Sequence, residues 1–154
     1  MRSGYFEIGI YHVKSEVNIG TLWRSAYQLG ASGIFTIGKR YQKQSSDTLK
    51  AFRHVPLRHY ETFEDFNRNR PYGAILIGIE MGGGNLSDFA HPKSAIYLLG
   101  AEDHGLPDEI LNQCQTIVSL QAINQPSYNV AVAGSIVMYH RLYCCSNRRI
   151  SGRG

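Results

Sequence analysis

The sequence lacks the features of membrane-spanning, secreted and metal-binding proteins. Its three cysteines, Cys114, Cys144 and Cys145, form no Cys-x-x-Cys pair and show no Cys/His spacing typical of zinc sites. The longest clean apolar run, residues 74–79, is far shorter than the about 20 residues that a membrane helix needs. The first residues contain no apolar stretch typical of a secretory signal. We therefore expect a cytoplasmic protein in a reducing compartment, with no membrane contact and no metal.

The length and composition are those of one globular domain. The 154 residues are 43% hydrophobic and 18% charged, which is enough apolar side chain for a packed core. No repeat or linker divides the chain. We expect a single domain over residues 1–146, followed by a basic, flexible tail over 147–154.

Charge is distributed unevenly along the chain. Residues 1–70 carry a net +5, residues 71–140 a net −5, and residues 141–154 a net +4. The basic zones favour a polyanion such as nucleic acid as a partner, although a solvated basic face gives the same pattern.

The hydrophobic pattern alternates between strands and helices. Short buried runs predict strands at 5–11, 33–37, 57–60, 73–79, 94–99 and 115–120. Helical spacing predicts helices at 18–29, with Asn18 and Gly30 as caps, at 62–69, at a turn after Pro107, and at 128–143. Gly82-Gly83-Gly84-Asn85 is expected to break the fourth strand. This order predicts an α/β fold with a mainly parallel sheet flanked by helices.

Ligands of parallel sheets bind outside the carboxyl ends of the strands, so three segments there are candidates for a site. The first contains Asn18 and Arg24, which can equally be a helix cap and a surface cation. The second runs from Gly100 through Glu102 to Pro107. Its glycines would let the backbone approach a flat ligand, or would simply make a turn. The third contains Ser127, a possible helix cap, and Asn129, which that interpretation leaves unexplained.

A fourth segment interleaves cations with aromatic rings. This pattern is typical of proteins that hold looped RNA, with cations on phosphates and rings on splayed bases; a solvated loop is the alternative. The cations that we predict to contact RNA are Lys39, Arg40, Lys43 and Arg53, and the rings beside them include Tyr41, Phe52 and Tyr60.

Taken in order, these segments resemble the SpoU/TrmH branch of the SPOUT methyltransferases. The resemblance rests on an N-x-G-x-x-x-R stretch at 18–24, a G-x-E-x-x-G-L-P stretch at 100–107 and an S-x-N-V stretch at 127–130. It covers nearly the whole chain and is greatest to short members that consist of the catalytic domain alone. The third motif of the family usually reads Ser-Leu-Asn, and Tyr128 stands here in the middle position.

The resemblance implies a fold, a cofactor and a reaction. The C-terminal segment would thread a loop to form a deep trefoil knot, which periodicity cannot reveal. S-adenosylmethionine would bind against Ile79, Gly100, Leu120 and Ser127. The protein would be a homodimer through its apolar C-terminal helix. It would methylate a ribose 2′-hydroxyl of RNA, with tRNA favoured over rRNA.

The resemblance also implies catalytic roles for Arg24, Asn18, Glu102 and Asn129. Arg24 would lie beside the target ribose and orient or activate its hydroxyl. Asn18 would organise Arg24 or contact RNA, and Glu102 would orient Arg24 or line the mouth of the site. Ser127 and Asn129 would hydrogen-bond the cofactor and shape its pocket. Arginine keeps its proton at neutral pH, so an orienting role and a basic role stay open.

Two other classes of function compete with an enzyme. One is a catalytically silent RNA-binding module of the same fold, and the other is a metabolite-binding α/β domain. The presence of Asn18, Arg24, Glu102 and Asn129 favours the enzyme over the silent module. The basic, aromatic segment disfavours the metabolite-binding domain.

Overall fold

The computed structural model describes residues 4–38 and 54–151. The four cations predicted to contact RNA, Lys39, Arg40, Lys43 and Arg53, lie outside these residues. Within the described part, no helix has the combination of length and hydropathy that a membrane span requires.

The described residues form one six-stranded sheet in which every strand pair is parallel. The strands are β1 (Tyr5–Tyr11), β2 (Gly33–Ile37), β3 (Leu57–Tyr60), β4 (Ile75–Asn85), β5 (Ser94–Leu99) and β6 (Thr116–Ser119). The helices are α1 (Glu16–Leu29), α2 (Phe63–Asn69), α3 (Asp108–Leu111) and α4 (Val130–Ser151), with a short 3-10 helix at Leu86–Asp88. The sheet order is β3-β2-β1-β5-β4-β6. The predicted parallel α/β fold is confirmed.

Both faces of the sheet are covered, which explains the uninterrupted apolar runs of the central strands. On one face α1 and α4 pack through side chains such as Leu22, Trp23 and Val137. On the other face α2 and α3 contribute Phe66 and Ile110 to a second cluster. The carboxyl ends of β1, β5 and β4 therefore meet at one edge of a two-sided core.

Helix α1 begins earlier than its pattern predicts. Ser15, not Asn18, occupies the N-cap position, while Asn18 lies in the first turn and is 7% exposed. The predicted cap is wrong because α1 begins at Glu16, so Asn18 lies within the helix and its amide bonds to Glu102 and Asn129. Gly30 ends α1 with φ of 85°, as the sequence predicts.

Strand β4 continues through the glycines that were expected to end it. It extends to Asn85, with a register shift between Ile79 and Gly84 where both residues pair with Val118. A Cβ at Gly83 would lie 2.5 Å from the Ile117 carbonyl oxygen. The glycines therefore let β4 run close beside β6 instead of turning away.

Helix α4 begins at Val130 and continues to Ser151, past the predicted end at Tyr143. Arg141, counted among the basic C-terminal residues, is fully buried. Its guanidinium donates to the carbonyls of Pro92 and Lys93 and lies over the Phe6 ring. Arg141 thus fixes α4 to the amino-terminal edge of the sheet and does not contribute to a basic surface.

Candidate functional site

A cavity of about 240 Å³ lies at the carboxyl ends of β4, β5 and β6. The four residues predicted to contact the cofactor, Ile79, Gly100, Leu120 and Ser127, all line it. The cavity also has apolar walls from Leu99, Val130 and Ala133. Three loops that are distant in sequence therefore converge where the resemblance places a nucleotide-sized ligand.

Three carboxylates contribute to the lining of the cavity. They belong to Glu80, Glu102 and Asp103. Lys14 forms an ion pair with Asp103, which lowers the pKa of the Asp103 carboxyl and raises the pKa of the Lys14 ammonium. A cavity lined by carboxylates and by apolar side chains suits a ligand that combines flat apolar groups with positive charge.

Three of the predicted catalytic residues form one hydrogen-bonded group, which we call the polar triad: Asn18, Glu102 and Asn129. Asn129 Nδ2 donates to Asn18 Oδ1 at 3.0 Å, and Asn18 Nδ2 donates to Glu102 Oε1 at 2.9 Å. The backbone N–H of Lys14 donates to Glu102 Oε2 at 3.1 Å. The triad therefore joins the first turn of α1, the loop after β5 and the start of α4.

Hydrogen bonding determines the acidity of Glu102. Burial alone would raise the pKa of this carboxyl, but the bonds from the Asn18 amide and from backbone N–H groups outweigh it. The pKa of Glu102 is therefore lowered, and the carboxylate stays ionised.

The N-cap of α4 is Asn129, not Ser127. Asn129 Oδ1 accepts from the N–H groups of Ala131 and Val132 at 2.9 and 3.1 Å. Ser127 is exposed and borders the cavity. The cap predicted at Ser127 is wrong because α4 starts two residues later than its apolar pattern indicates. A single Asn129 side chain thus starts α4 with its oxygen and holds Asn18 with its nitrogen.

The glycines of the loop after β5 have the turn-forming role that was one of the two alternatives open from the sequence. The loop folds back on itself, with the N–H of Gly105 donating to the carbonyl of Ala101 at 3.0 Å. A Cβ at Gly100 would collide with the backbone of Gly105, which itself has φ of 63°. Gly100 is therefore needed for the approach of its own loop, whether or not a ligand is bound.

Tyr128 closes the loop between β6 and α4. Its hydroxyl donates to the Gln121 carbonyl at 2.5 Å, and its ring borders the cavity. This bond gives a physical reason for the tyrosine that stands in the middle of the third motif.

Arg24 is separate from the polar triad. It lies six residues after Asn18, or about 240° around the helix, and is exposed. Among the described residues, neither the cavity lining nor the triad includes it. The structure thus brings together three of the four predicted catalytic residues, and the role of Arg24 stays a prediction.

Metal chemistry has no visible centre in this part of the chain, and Cys114 is not a reactive thiol. Within residues 4–38 and 54–151, no group of three or more His, Cys, Asp or Glu side chains could hold a metal ion. Burial raises the pKa of the Cys114 thiol to about 11, so this cysteine is not a thiolate at neutral pH.

The fold and the site define a class: a parallel α/β protein with a ligand cavity built from three loops at the carboxyl edge of its sheet. The chain also matches the model of the SpoU rRNA Methylase family over residues 5–139. It belongs to that family, which confirms the resemblance to SpoU/TrmH methyltransferases.

Solved structures and a curated relative agree with this family. A structure described as "Structural insights into the 2-OH methylation of C/U34 on tRNA" is 25% identical, with a TM-score of 0.81 over 98% of this chain and 99% of that chain. An AdoMet-bound rRNA methyltransferase from Sinorhizobium meliloti is 26% identical, with a TM-score of 0.79 over 93% of this chain and 57% of that one. The expected family cofactor, S-adenosylmethionine, is therefore confirmed in a relative.

The curated relative is an "Uncharacterized tRNA/rRNA methyltransferase" from Archaeoglobus fulgidus. It is 24% identical over 145 residues, or 90% of this chain. The chain spans 65% of the length of that relative.

Proposed function

We propose that this protein transfers a methyl group from S-adenosylmethionine to a ribose 2′-hydroxyl of tRNA. The observation that carries the proposal is the convergence of Ile79, Gly100, Leu120 and Ser127 on one cavity beside the polar triad. Similarity along nearly the whole of both chains to the structure concerned with 2-OH methylation on tRNA favours tRNA over rRNA.

The residues of the cavity fit this cofactor. The side chains of Ile79, Leu99 and Leu120 offer apolar walls to an adenine ring and a thioether. Glu102 places negative charge at the cavity, where a sulfonium and an ammonium group are favoured. The bound cofactor supplies an activated methyl group, so the protein needs mainly to align the acceptor hydroxyl, which can lower the barrier by roughly 7–11 kcal/mol.

The polar triad would hold α1, the loop after β5 and the start of α4 in fixed positions relative to one another. Asn18 uses both ends of its amide, accepting from Asn129 and donating to Glu102, so its orientation is fixed from two sides. We propose that Arg24 orients the ribose or its phosphate through the planar fork of its guanidinium. A guanidinium does not give up its proton at neutral pH, so Arg24 acts by positioning and charge.

We further propose the trefoil knot and the homodimer. The segment from β6 to α4 borders the cavity, and α4 then packs against α1, as a threaded C-terminal segment would. Four side chains of α4 form an exposed apolar stripe at helical spacing that a second copy would cover: Val132, Ile136, Tyr139 and Tyr143. Light scattering should give twice the chain mass for the wild type, and Tyr139→Asp should shift it towards the monomer.

The experiment that tests the function is nucleoside mass spectrometry of bulk RNA from cells with and without the protein. We expect one 2′-O-methylated nucleoside to disappear from the tRNA fraction when the protein is absent, and to return with the wild type. Arg24→Ala should bind S-adenosylmethionine normally and fail to restore the nucleoside. RNA binding without any change in methylated nucleosides would instead identify a silent RNA-binding module.

The predicted RNA contacts need a separate measurement. Replacement of Lys43 or Arg53 by alanine should weaken RNA binding and reduce its dependence on salt concentration. With one cation fewer, the protein displaces fewer counterions from the RNA when it binds. If the salt dependence of RNA affinity is unchanged in these variants, the alternative of a solvated loop is favoured.

A further inference from the structure

Glu80 joins two of the loops that form the cavity, although it is absent from the predicted site residues. Its Oε1 accepts from the N–H of Met81 at 3.0 Å, and its Oε2 accepts from the N–H of Leu106 at 2.8 Å. The second bond connects β4 to the end of the loop after β5. Glu80 also lines the cavity, so it links the strand that carries Ile79 to the loop that carries Gly100.

The loop is built around this carboxylate. A Cβ at Gly105 would collide with the Glu80 carboxylate, so the loop backbone lies directly against it. On its other side the same loop is held by Glu102, which accepts from Lys14 N–H and from the Asn18 amide. Two carboxylates therefore fix residues 100–106. Glu80 connects the loop to β4, and Glu102, within the loop, connects it to Lys14 and Asn18.

We infer that Glu80 is a positioning residue for methyl-donor binding, which fixes the 100–106 loop against β4 and so sets the shape of the cavity. It acts through the loop and not on the transferred methyl group. A carboxylate suits this role because both oxygens accept, whereas the amide of glutamine can keep only one of the two bonds. The inference rests on the proposed use of S-adenosylmethionine.

The test is isothermal titration calorimetry with S-adenosylmethionine and with S-adenosylhomocysteine, which lacks the methyl group and the sulfonium charge. We expect Glu80→Gln to weaken both ligands by about 10-fold, and Glu80→Ala by more, because a hydrogen bond to a charged group is lost. Both ligands should lose the same factor, since the loop contacts both. The KM for the cofactor should rise while kcat stays nearly unchanged.

Two controls separate this role from a general loss of structure. Glu64→Gln removes an exposed carboxylate on α2 and should leave both dissociation constants unchanged. Gly105→Ala is strained in both backgrounds by the φ of 63°, but it should weaken binding less in the Glu80→Ala background, where the added collision with the carboxylate is relieved. Circular dichroism confirms that each variant is folded at the titration temperature.

The outcomes distinguish the two proposals. A wild type that gives no heat with S-adenosylmethionine overturns the proposed function. If the wild type binds, and folded Glu80→Gln and Glu80→Ala bind equally well, the role of Glu80 is wrong. A loss of affinity confined to S-adenosylmethionine would show that Glu80 acts on the sulfonium charge. Strictly multiplicative effects of the Glu80 and Gly105 substitutions on the dissociation constants would show that the two residues do not act through their contact. Either result overturns the inference.

Discussion

Substitution of Asn129 separates the two tasks of this side chain. Asn129→Ala removes the acceptor that caps α4 and the donor to Asn18. Loss of a cap costs roughly 0.5–2 kcal/mol, and loss of the amide–amide bond costs about 1 kcal/mol. We therefore expect Asn129→Ala to lower the free energy of unfolding by about 2 kcal/mol. For a domain of this size that lowers Tm by about 4–8 °C.

Asn129→Asp keeps the cap but breaks the polar triad. A carboxylate still accepts from Ala131 and Val132 and is favoured at a helix N-terminus by about 0.3–1 kcal/mol, but it cannot donate to Asn18. We therefore expect the stability of Asn129→Asp to stay within about 1 kcal/mol of the wild type while methyl transfer falls as far as in Asn129→Ala.

Urea unfolding and initial rates of methyl transfer measure the two effects. Asn67→Ala, at an exposed position of α2, is the control and should change neither. The reasoning is refuted if Asn129→Ala unfolds at the wild-type urea concentration. It is also refuted if Asn129→Asp is as destabilised as Asn129→Ala, because the cap would then not be the stabilising element.

Three further predictions follow from single contacts. Asn18→Ala should raise the pKa of Glu102, as followed by carbon NMR titration, because the amide bond that stabilises its carboxylate is lost; an unchanged pKa would contradict the triad. Folding stability contributed by this carboxylate is present at neutral pH and is lost as the pH falls through its lowered pKa. Asn18→Ala should therefore make this contribution smaller and complete its loss at a higher pH. Tyr128→Phe should weaken S-adenosylmethionine about 5-fold in calorimetry by freeing the loop, and unaltered affinity would speak against the closing role of its hydroxyl. Gly134→Ala should lower the free energy of unfolding in urea by about 1–3 kcal/mol, because a Cβ there meets the core. Gly20→Ala has open space around it and should raise that free energy by about 0.5–1 kcal/mol. Equal effects of the two substitutions would contradict the packing of α4 on α1.

The sheet could be predicted from sequence because its strands are buried on both faces. Runs such as 94–99 are apolar without alternation, a pattern typical of a parallel sheet covered by helices. The boundaries of β1, β2, β3 and β5 agree with the prediction because polar or turn residues flank each run.

The errors arise where a distant partner overrides a local preference. The glycines at 82–84 indicate a turn by themselves, but β6 lies close enough to keep them in β4. Asn18 is a good capping residue by type, yet it bonds to Glu102 and Asn129, 84 and 111 residues away. No local pattern contains these partners.

The candidate site was only partly predictable for the same reason. Asn129 could have been identified as the cap of α4, since asparagine immediately before an apolar helix is a strong N-cap signal. Glu80 has no comparable signal, because a single acid after a buried strand becomes meaningful only once the bond to Leu106 is seen.

The most direct measurement is a crystal structure of the protein soaked with S-adenosylmethionine. We predict density for the cofactor in the cavity between Ile79, Gly100 and Leu120, with its sulfonium on the side of the polar triad. Density at another place on the protein, or a cavity that stays empty or filled by side chains at saturating cofactor, would contradict the account.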